Sequence, residues 1–192
     1  MQITPVRATA CAAALALSTG LVSGCGIIGS GSGGGETAEF TVSSQAFSDL
    51  KDIPPRYACS AYRGQGKTPP LHWSGVPDAK AFVIVMDDPD ARGGTYIHWV
   101  LSNLEGTTLD MVEGQQTPPK AIVGENSDEK RAYEAPCPPQ GQRHRYRYTV
   151  YALKEPIPAG DAVKLKKSLP AIASRSIARG RITGYLGQSK GS

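Results

Sequence analysis

The sequence predicts one mostly β domain in which sheets pack on each other, with one or two helices near the C-terminus. Ala81 to Met86 is a continuous apolar run, typical of a strand that is buried on both faces. Arg145 to Leu153 is rich in aromatic and β-branched residues, which favours a second long strand. A convincing helical spacing of apolar residues begins only near Ser168. Such a set of elements fits a sheet-on-sheet domain.

The N-terminal residues are typical of an export signal. Arg7 supplies a positive charge, and the apolar stretch from Ala8 to Val22 is too short to span a bilayer comfortably. Leu21-Val22-Ser23-Gly24-Cys25 resembles the lipobox of bacterial lipoproteins. We therefore expect residues 1–24 to be a signal peptide and Cys25 to carry a palmitate-type lipid that anchors the chain on the extracytoplasmic face of the cell membrane. A plain secretory signal with an incidental cysteine is the alternative.

The composition after the signal indicates a tether and a single domain. Residues 25–36 are mostly Gly and Ser, which predicts a flexible tether. Residues 37–188, with a short tail at 189–192, suit one domain with a substantial core. Loss of Arg7 lowers the formal net charge from +4 to about +3. The basic residues are dispersed, so no nucleic-acid partner is expected.

The mature chain keeps an even number of cysteines within its domain. Cys11 leaves with the signal peptide and Cys25 would be lipidated, which leaves Cys59 and Cys137 in an oxidising compartment. A disulfide between them requires Cα atoms within about 7 Å of each other. Two buried thiols that pack as small hydrophobic groups are the alternative, and the sequence leaves both open.

The first strands follow in order along the domain. Phe40 to Ser43 alternates weakly in polarity and is predicted as the first strand, before a turn-rich stretch. The buried run from Ala81 ends at Asp87-Asp88-Pro89, and Tyr96 to Leu101 is the next strand candidate. Arg92-Gly93-Gly94 makes a tight connection between them, which favours antiparallel pairing.

The second half of the domain contains a long loop, a strand and a helix. Residues 105–142 are poor in apolar runs, and a loop of that length is usually functional or held by its neighbours. In the strand that follows, a period of two puts His144, Tyr146, Tyr148 and Val150 on one face. A helix is predicted from Ser168 to Gly180, with Pro170 in its first turn and a buried stripe of Leu169, Ile172, Ala173, Ser176 and Ile177. Ile182 to Leu186 is then a short final strand.

Acidic and imidazole side chains lie beside the predicted strand ends. Asp88-Pro89-Asp90 follows the buried strand, and His98 lies on the next strand. The rigid segment Pro136-Cys137-Pro138-Pro139 leads into His144. Two carboxylates and two imidazoles at strand ends are candidates to converge in one cleft. His72, beside Trp73, is interpreted as a structural residue.

Several spaced motifs resemble the phosphatidylethanolamine-binding protein family, and most closely its bacterial branch, often labelled Raf-kinase-inhibitor-like. The motifs are Pro69-Pro70-Leu71 with Trp73, Asp88-Pro89-Asp90, His98-Trp99, Pro136-Cys137-Pro138-Pro139, His144-Arg145-Tyr146 and Tyr151-Ala152-Leu153. They span nearly everything from Phe40 to Leu186. The resemblance implies a large antiparallel sheet packed on a smaller one, with a helix near the C-terminus.

The resemblance also implies a small pocket at one sheet end that takes phosphate, phosphoethanolamine-type headgroups or carboxylates. Carried over residue by residue, the pocket is lined by Asp88, Asp90, His98, His144 and Tyr146. The two histidines would donate to the anion, Tyr146 would flank it, and Asp88 would bind the ligand or orient an imidazole. Two departures bear on headgroup selectivity, because Arg92 replaces a proline after the first motif and Ala135 replaces a glycine before the second.

The sequence favours ligand binding over catalysis, and no cofactor is expected. An anion beside an aspartate requires a shared proton or a charged imidazole, because two bare negative charges a few ångströms apart repel. A metallohydrolase that uses Asp88, Asp90, His98 and His144 is one enzyme alternative, but HExxH-type spacing is absent. A serine hydrolase is the other, since residues 187–191 match GxSxG, but too few residues follow to form the helix that this motif needs.

An interaction protein is the main rival to a pocket-binding protein. Members of the family regulate kinases or inhibit serine peptidases by blocking a partner. The expected anchor disfavours a cytosolic kinase, so the alternative partner is an exported peptidase or a signalling protein, reached through the surface. Replacement of His98 and His144 by alanine distinguishes the two classes, because only a pocket function would be lost.

Overall fold

The computed structural model describes residues 38–188. The predicted signal peptide, the predicted lipidation site at Cys25 with its tether, and the tail after Gln188 all lie outside the described residues. The serine of the GxSxG match, Ser189, lies outside them as well. Within the described part, no helix has the length and apolar character needed to cross a membrane.

Ten strands and two helices, numbered in chain order, make up residues 38–188. The strands are β1 (Ala38–Glu39), β2 (Thr41–Ser43), β3 (Lys51–Asp52), β4 (Leu71–Ser74), β5 (Ala81–Asp88), β6 (Tyr96–Glu105), β7 (Asp110–Met111), β8 (Ile122–Val123), β9 (Arg143–Leu153) and β10 (Ser176–Gly187). The helices are α1 (Ala159–Val163) and α2 (Leu165–Arg175), and short 3-10 turns lie at Pro55–Tyr57 and Ser60–Tyr62.

The strands form a large sheet and a small one. The large sheet has the order β1-β10-β9-β5-β6-β8, with β3 also paired to β10, and the small sheet has the order β2-β4-β7. The long strands β10, β9, β5 and β6 are antiparallel neighbours, as predicted. However, β1 and β3 pair in parallel with β10, so the large sheet is mixed and not wholly antiparallel. Strands β1 and β3 have only two residues each, which is too short a sequence to predict whether they pair in parallel or antiparallel.

The two sheets pack face to face around the main core, which confirms the predicted mostly β, sheet-on-sheet fold. The largest side chains buried between them include Trp73, Phe82, Trp99, Tyr146 and Tyr148. The face of β9 that carries Tyr146, Tyr148 and Val150 points into this core, as its period of two predicted. Arg145 lies on the opposite face of β9 and is exposed.

The helices cover the other side of β5 and β6. Val83, Val85 and Val100 form a second core there with Ala162 of α1 and Ile172 of α2. Because β5 has one core on each side, seven of its eight residues are buried. This explains why its sequence is a continuous apolar run and not an alternating one.

The C-terminal helix lies earlier in the chain than predicted. It spans Leu165–Arg175, so Ser168 is a fully buried residue within the helix and not its N-cap. From Ser176 onwards the chain forms β10, which pairs with β9 along its whole length, and Gly180 is a strand residue. Apolar residues around Ile177 fit helical spacing, but pairing with β9 is a long-range interaction that local spacing does not reveal.

A disulfide and two hydrogen bonds hold the proline-rich segment that precedes β9. Cys59 and Cys137 are bonded, with Cα atoms 5.4 Å apart. The N–H of Cys59 donates to the carbonyl of Pro136 at 3.0 Å, and the Tyr62 hydroxyl donates to the carbonyl of Pro138 at 2.9 Å. The segment is thereby fixed to the region of the two 3-10 turns.

Candidate functional site

The candidate site lies at one end of the large sheet, where three strands meet. Strand β5 ends at Asp88, and its residue Asp87 pairs in register with Ile97 of β6 and with Arg147 of β9. Because β5 is antiparallel to both neighbours, its end lies beside the beginnings of β6 and β9. This arrangement brings together the side chains of Asp88, His98, His144 and Tyr146, which lie far apart in the sequence.

A buried carboxylate–imidazole pair is the centre of the site. Asp88 Oδ2 lies 2.7 Å from His144 Nδ1, and the two side chains are only 5% and 6% exposed. The other carboxylate oxygen of Asp88 accepts the backbone N–H of Asp90 at 2.8 Å. With both oxygens bonded, the carboxylate is fixed and holds the His144 ring in one orientation.

The second ring nitrogen of His144 is covered by a residue that the sequence did not indicate. His144 Nε2 lies 2.9 Å from Gln142 Oε1, so both ring nitrogens face oxygen atoms. A ring that donates to two oxygens has a proton on each nitrogen and is positively charged. A neutral ring would need the Gln142 amide to turn and present its NH₂ group. Gln142 therefore stands where an acceptor for the outer imidazole proton belongs.

His98 is the second imidazole of the site and lies between two tyrosine rings. Its ring centroid is 4.7 Å from that of Tyr96 and 5.4 Å from that of Tyr146, both in edge-to-face geometry. His98 Nδ1 donates to the carbonyl oxygen of Glu134 at 3.0 Å, because a carbonyl can only accept. Burial lowers the pKa of His98 and favours the neutral ring, which leaves a lone pair and no proton on Nε2.

Asp90 is the member of the predicted set whose carboxylate is turned towards another partner. It accepts from Arg145 Nε at 2.9 Å, from Arg145 Nη2 at 2.6 Å and from the Arg145 backbone N–H at 2.8 Å. The hydrogen bonds from Arg145 lower the pKa of Asp90 to about 2, although partial burial opposes the shift. Asp90 thus clamps the turn after β5 onto the start of β9.

We expect Asp90→Asn to lower the free energy of unfolding by about 1–2 kcal/mol at pH 7. The shift of the Asp90 pKa from 3.8 to about 2 corresponds to a somewhat larger free energy, but solvent around the exposed Arg145 screens the interaction and reduces its contribution. Because the folded-state pKa is lowered, this stability is present above pH 3.8 and is lost as the pH falls through about 2. Urea unfolding at pH 7 and at about pH 2 measures the difference. Asp78→Asn, which changes a fully exposed ion pair, is the control, and an equal loss in both variants would contradict the clamp.

The two departures from the family pattern lie on loops around the site. Arg92 is exposed in the connection between β5 and β6 and has no carboxylate within ion-pair distance among residues 38–188. Ala135 is partly buried and directly follows Glu134, whose carbonyl binds His98. Arg92 therefore supplies a cation without a carboxylate partner on the loop after β5.

A cavity of about 530 Å³ borders the same end of the sheet. Its walls include Tyr62, Gln140, Tyr185 and Leu186, and Leu186 pairs in register with His144. The imidazoles and Asp88 do not line this cavity, so the predicted residues converge but their polar atoms are closed off by neighbours such as Gln142. Within the described chain, no three His, Cys, Asp or Glu side chains are grouped as a metal site.

The family model described as phosphatidylethanolamine-binding protein matches residues 43–187. LppC, a proposed lipoprotein of Mycobacterium tuberculosis, is 33% identical over 145 residues, which cover 75% of this chain and 70% of LppC. The crystal structure of YbcL from Escherichia coli, described as a member of the mammalian family of these proteins, has a TM-score of 0.72 at 28% identity and covers 78% of this chain and 99% of that one. The carboxypeptidase Y inhibitor, solved with its cognate proteinase, shares the fold at 16% identity, with a TM-score of 0.51 and coverage of 80% and 84%.

Proposed function

The chain belongs to the phosphatidylethanolamine-binding protein family, and from that premise we propose that it binds a small anionic group without transforming it chemically. The group is a phosphate, a phosphoethanolamine-type headgroup or a carboxylate. His144 and His98 donate to it, Asp88 orients His144, and Tyr146 packs against His98. Asp90 holds the adjoining turn through Arg145.

The observation that carries this proposal is the buried pair of Asp88 and His144, with Gln142 on the outer ring nitrogen. An anion that displaces the Gln142 amide replaces a neutral acceptor with a charged one. Hydrogen bonds between ionised groups are roughly twice as strong as neutral ones. Gln142 is an exposed residue directly before β9, so we infer that a change of its side-chain rotamer admits the ligand.

His98 makes the proposed binding dependent on pH. Its neutral ring has no proton on Nε2 and cannot donate to an anion, because Nδ1–H is already committed to Glu134. An anion beside the ring favours the protonated form and raises the pKa. Ligand binding is therefore coupled to proton uptake by the protein, and it becomes stronger as the pH falls.

We expect sulfate to bind at least about tenfold more weakly at pH 8 than at about pH 5.5, as isothermal titration calorimetry measures. Sulfate is the probe because its own charge does not change over this range, unlike that of phosphate. Replacement of His144 or His98 by alanine should abolish binding, whereas His72→Ala, at an exposed histidine that pairs with Asp110 on the small sheet, should leave it unchanged. Equal affinity at both pH values would contradict donation by a charged imidazole.

The position of the protein is the second part of the proposal. We infer that Cys25 is acylated and anchors the domain on the extracytoplasmic face of the cell membrane, which the resemblance of residues 21–25 to a lipobox supports. The similarity to LppC, a proposed lipoprotein, agrees with it. At this position the pocket is within reach of lipid headgroups as well as of free metabolites.

A regulatory role through a surface contact is the second candidate function. The carboxypeptidase Y inhibitor, which shares this fold, was solved in complex with its cognate proteinase. An exported peptidase or a signalling protein is the corresponding partner for this chain. A variant with both His98 and His144 replaced by alanine would lose a function of the pocket and keep a function of the surface.

A further inference from the structure

One half of the outer face of the large sheet is left uncovered by the helices. Residues paired in register across the sheet lie on the same face. Val85 pairs with Thr149, which pairs with Arg181, and Val85 lies under the helices. Arg179 pairs with Tyr151, which pairs with Val83 under the helices, so Arg179 lies on this face as well. The face therefore continues from its helix-covered half onto exposed parts of β9 and β10.

Arginines occupy alternate positions of the uncovered half. They are Arg143, Arg145 and Arg147 on β9, and Arg179 and Arg181 on β10. The arginines of β9 are neutralised by ion pairs: Arg143 with Asp52, and, in bidentate geometry, Arg145 with Asp90 and Arg147 with Asp87. Glu39 pairs in register with Arg179 and so lies on the same face. The excess positive charge of the face is therefore that of Arg179 and Arg181, less the single negative charge of Glu39.

Arg179 and Arg181 have no carboxylate within ion-pair distance among residues 38–188. Both side chains are exposed, and residues two apart on a strand lie about 7 Å from each other. Arg181 Nε donates to Thr149 Oγ1 at 2.9 Å, which orients the guanidinium and leaves its two terminal nitrogens available. A hollow of about 220 Å³ is lined by both arginines, by Phe40 and by Glu39, whose carboxylate is not within ion-pair distance of either arginine.

We propose that this arginine face, formed by β9 and β10, docks on a bilayer that contains anionic phospholipids, with a lipid phosphate between Arg179 and Arg181. Planar guanidinium groups match phosphate geometry, and each arginine near an anionic leaflet adds to the attraction. Tyr151 and Tyr185 are half-buried on the same face, and tyrosine is enriched at membrane interfaces. The hollow at Arg179 and Arg181 is a different one from the cavity beside the histidine site, and of the two Tyr185 lines only the cavity.

The path of the chain favours a bilayer as the occupant. The described chain begins at Ala38, which pairs in register with Ala178, and Glu39 pairs with Arg179. The described chain therefore begins at the edge of the arginine face. Twelve residues lie between Cys25 and Ala38, and the thirteen steps from one Cα to the next span at most about 45 Å. This step rests on the lipid anchor proposed above.

Chemical modification of arginines on vesicles tests the docking. The protein as processed and purified from membranes is inserted into vesicles of phosphatidylcholine, or of phosphatidylcholine with phosphatidylglycerol, and treated with phenylglyoxal. Mass spectrometry then follows each arginine. Arg179 and Arg181 should react about fivefold more slowly on the anionic vesicles, and about 0.5 M NaCl should remove the difference. Arg63, an exposed residue directly after the second 3-10 turn, should react equally on both.

Three outcomes would overturn the docking, and each differs from a failure of the anchor or the pocket. Equal reaction rates on the two vesicle types would exclude an anionic surface as the partner. Equal slowing of Arg63 would mean that the whole domain is shielded without a preferred face. Equal protection by inorganic phosphate on phosphatidylcholine vesicles would assign the hollow to free phosphate. Protein that does not float with any vesicle disproves the anchor instead, and sulfate calorimetry tests the pocket independently.

Discussion

Replacement of Asp88 by alanine should lower the free energy of unfolding by about 3–5 kcal/mol and abolish anion binding. The carboxylate is 5% exposed and holds both His144 Nδ1 and the Asp90 backbone N–H. Its removal leaves a buried imidazole proton and a buried amide without acceptors, which costs far more than the pair itself contributes. The released ring also loses the orientation that presents Nε2 to a ligand. Urea unfolding and calorimetry with sulfate measure the two effects.

Two further variants separate stability from binding. Asp78→Ala removes an aspartate that is 86% exposed and pairs only with Lys80, so it should change stability by less than about 1 kcal/mol. Asp88→Asn keeps an oxygen that accepts from His144 Nδ1 but removes the negative charge of the carboxylate. It should therefore be more stable than Asp88→Ala and still bind sulfate weakly. Wild-type stability and affinity in Asp88→Ala would refute the central role of the pair.

The convergence of the site could be predicted because antiparallel strands share their ends. The apolar run of β5 fixed the position of Asp88, and the tight connection to β6 placed His98 at the same edge. The aromatic pattern of β9 gave the face of His144 and Tyr146 correctly, although these residues lie more than fifty positions after Asp88. Periodicity and strand order were sufficient for these residues, since each one depends on backbone direction alone.

The partners of the site could not be predicted, because they depend on side-chain direction in turns. Asp90 lies two residues after Asp88, yet its carboxylate points to Arg145 on the opposite face of β9. Gln142 covers His144 Nε2 from the turn before β9, in which its backbone N–H donates to the carbonyl of Pro139 and Gly141 has a φ of 77°. The predicted end of the C-terminal helix was wrong because the pairing of β10 with β9 overrides the local helical spacing of apolar residues. Long-range contacts decide the partner of Asp90 and the start of β10, whereas the contact of Gln142 with His144 depends on the local turn before β9.

Removal of the disulfide should have the second large effect, a loss of about 4 kcal/mol in the free energy of unfolding. The bond between Cys59 and Cys137 closes a loop of 78 residues. In the chain-entropy model, closing such a loop raises the free energy of the unfolded chain by about 4.5 kcal/mol. Loss of a native disulfide typically lowers the free energy of unfolding by about 2–5 kcal/mol. The bond also fixes the segment from Pro136 to Pro138, which leads into His144. Sulfate affinity should therefore fall together with stability.

The measurement compares urea unfolding of the oxidised protein with that of a Cys59→Ser, Cys137→Ser variant, both carrying serine at Cys11 and Cys25. Dithiothreitol should lower the unfolding midpoint of the first protein to that of the second, and should leave the second unchanged. Calorimetry on the reduced protein under conditions where it remains folded then isolates the effect on the site. If reduction lowers stability but leaves sulfate affinity intact, the hydrogen bonds of Cys59 and Tyr62 to the proline segment are enough to position His144. If neither stability nor sulfate affinity changes, the disulfide does not restrict the unfolded chain. Breaking a bond that restricts the unfolded chain would raise its conformational entropy and so lower the free energy of unfolding.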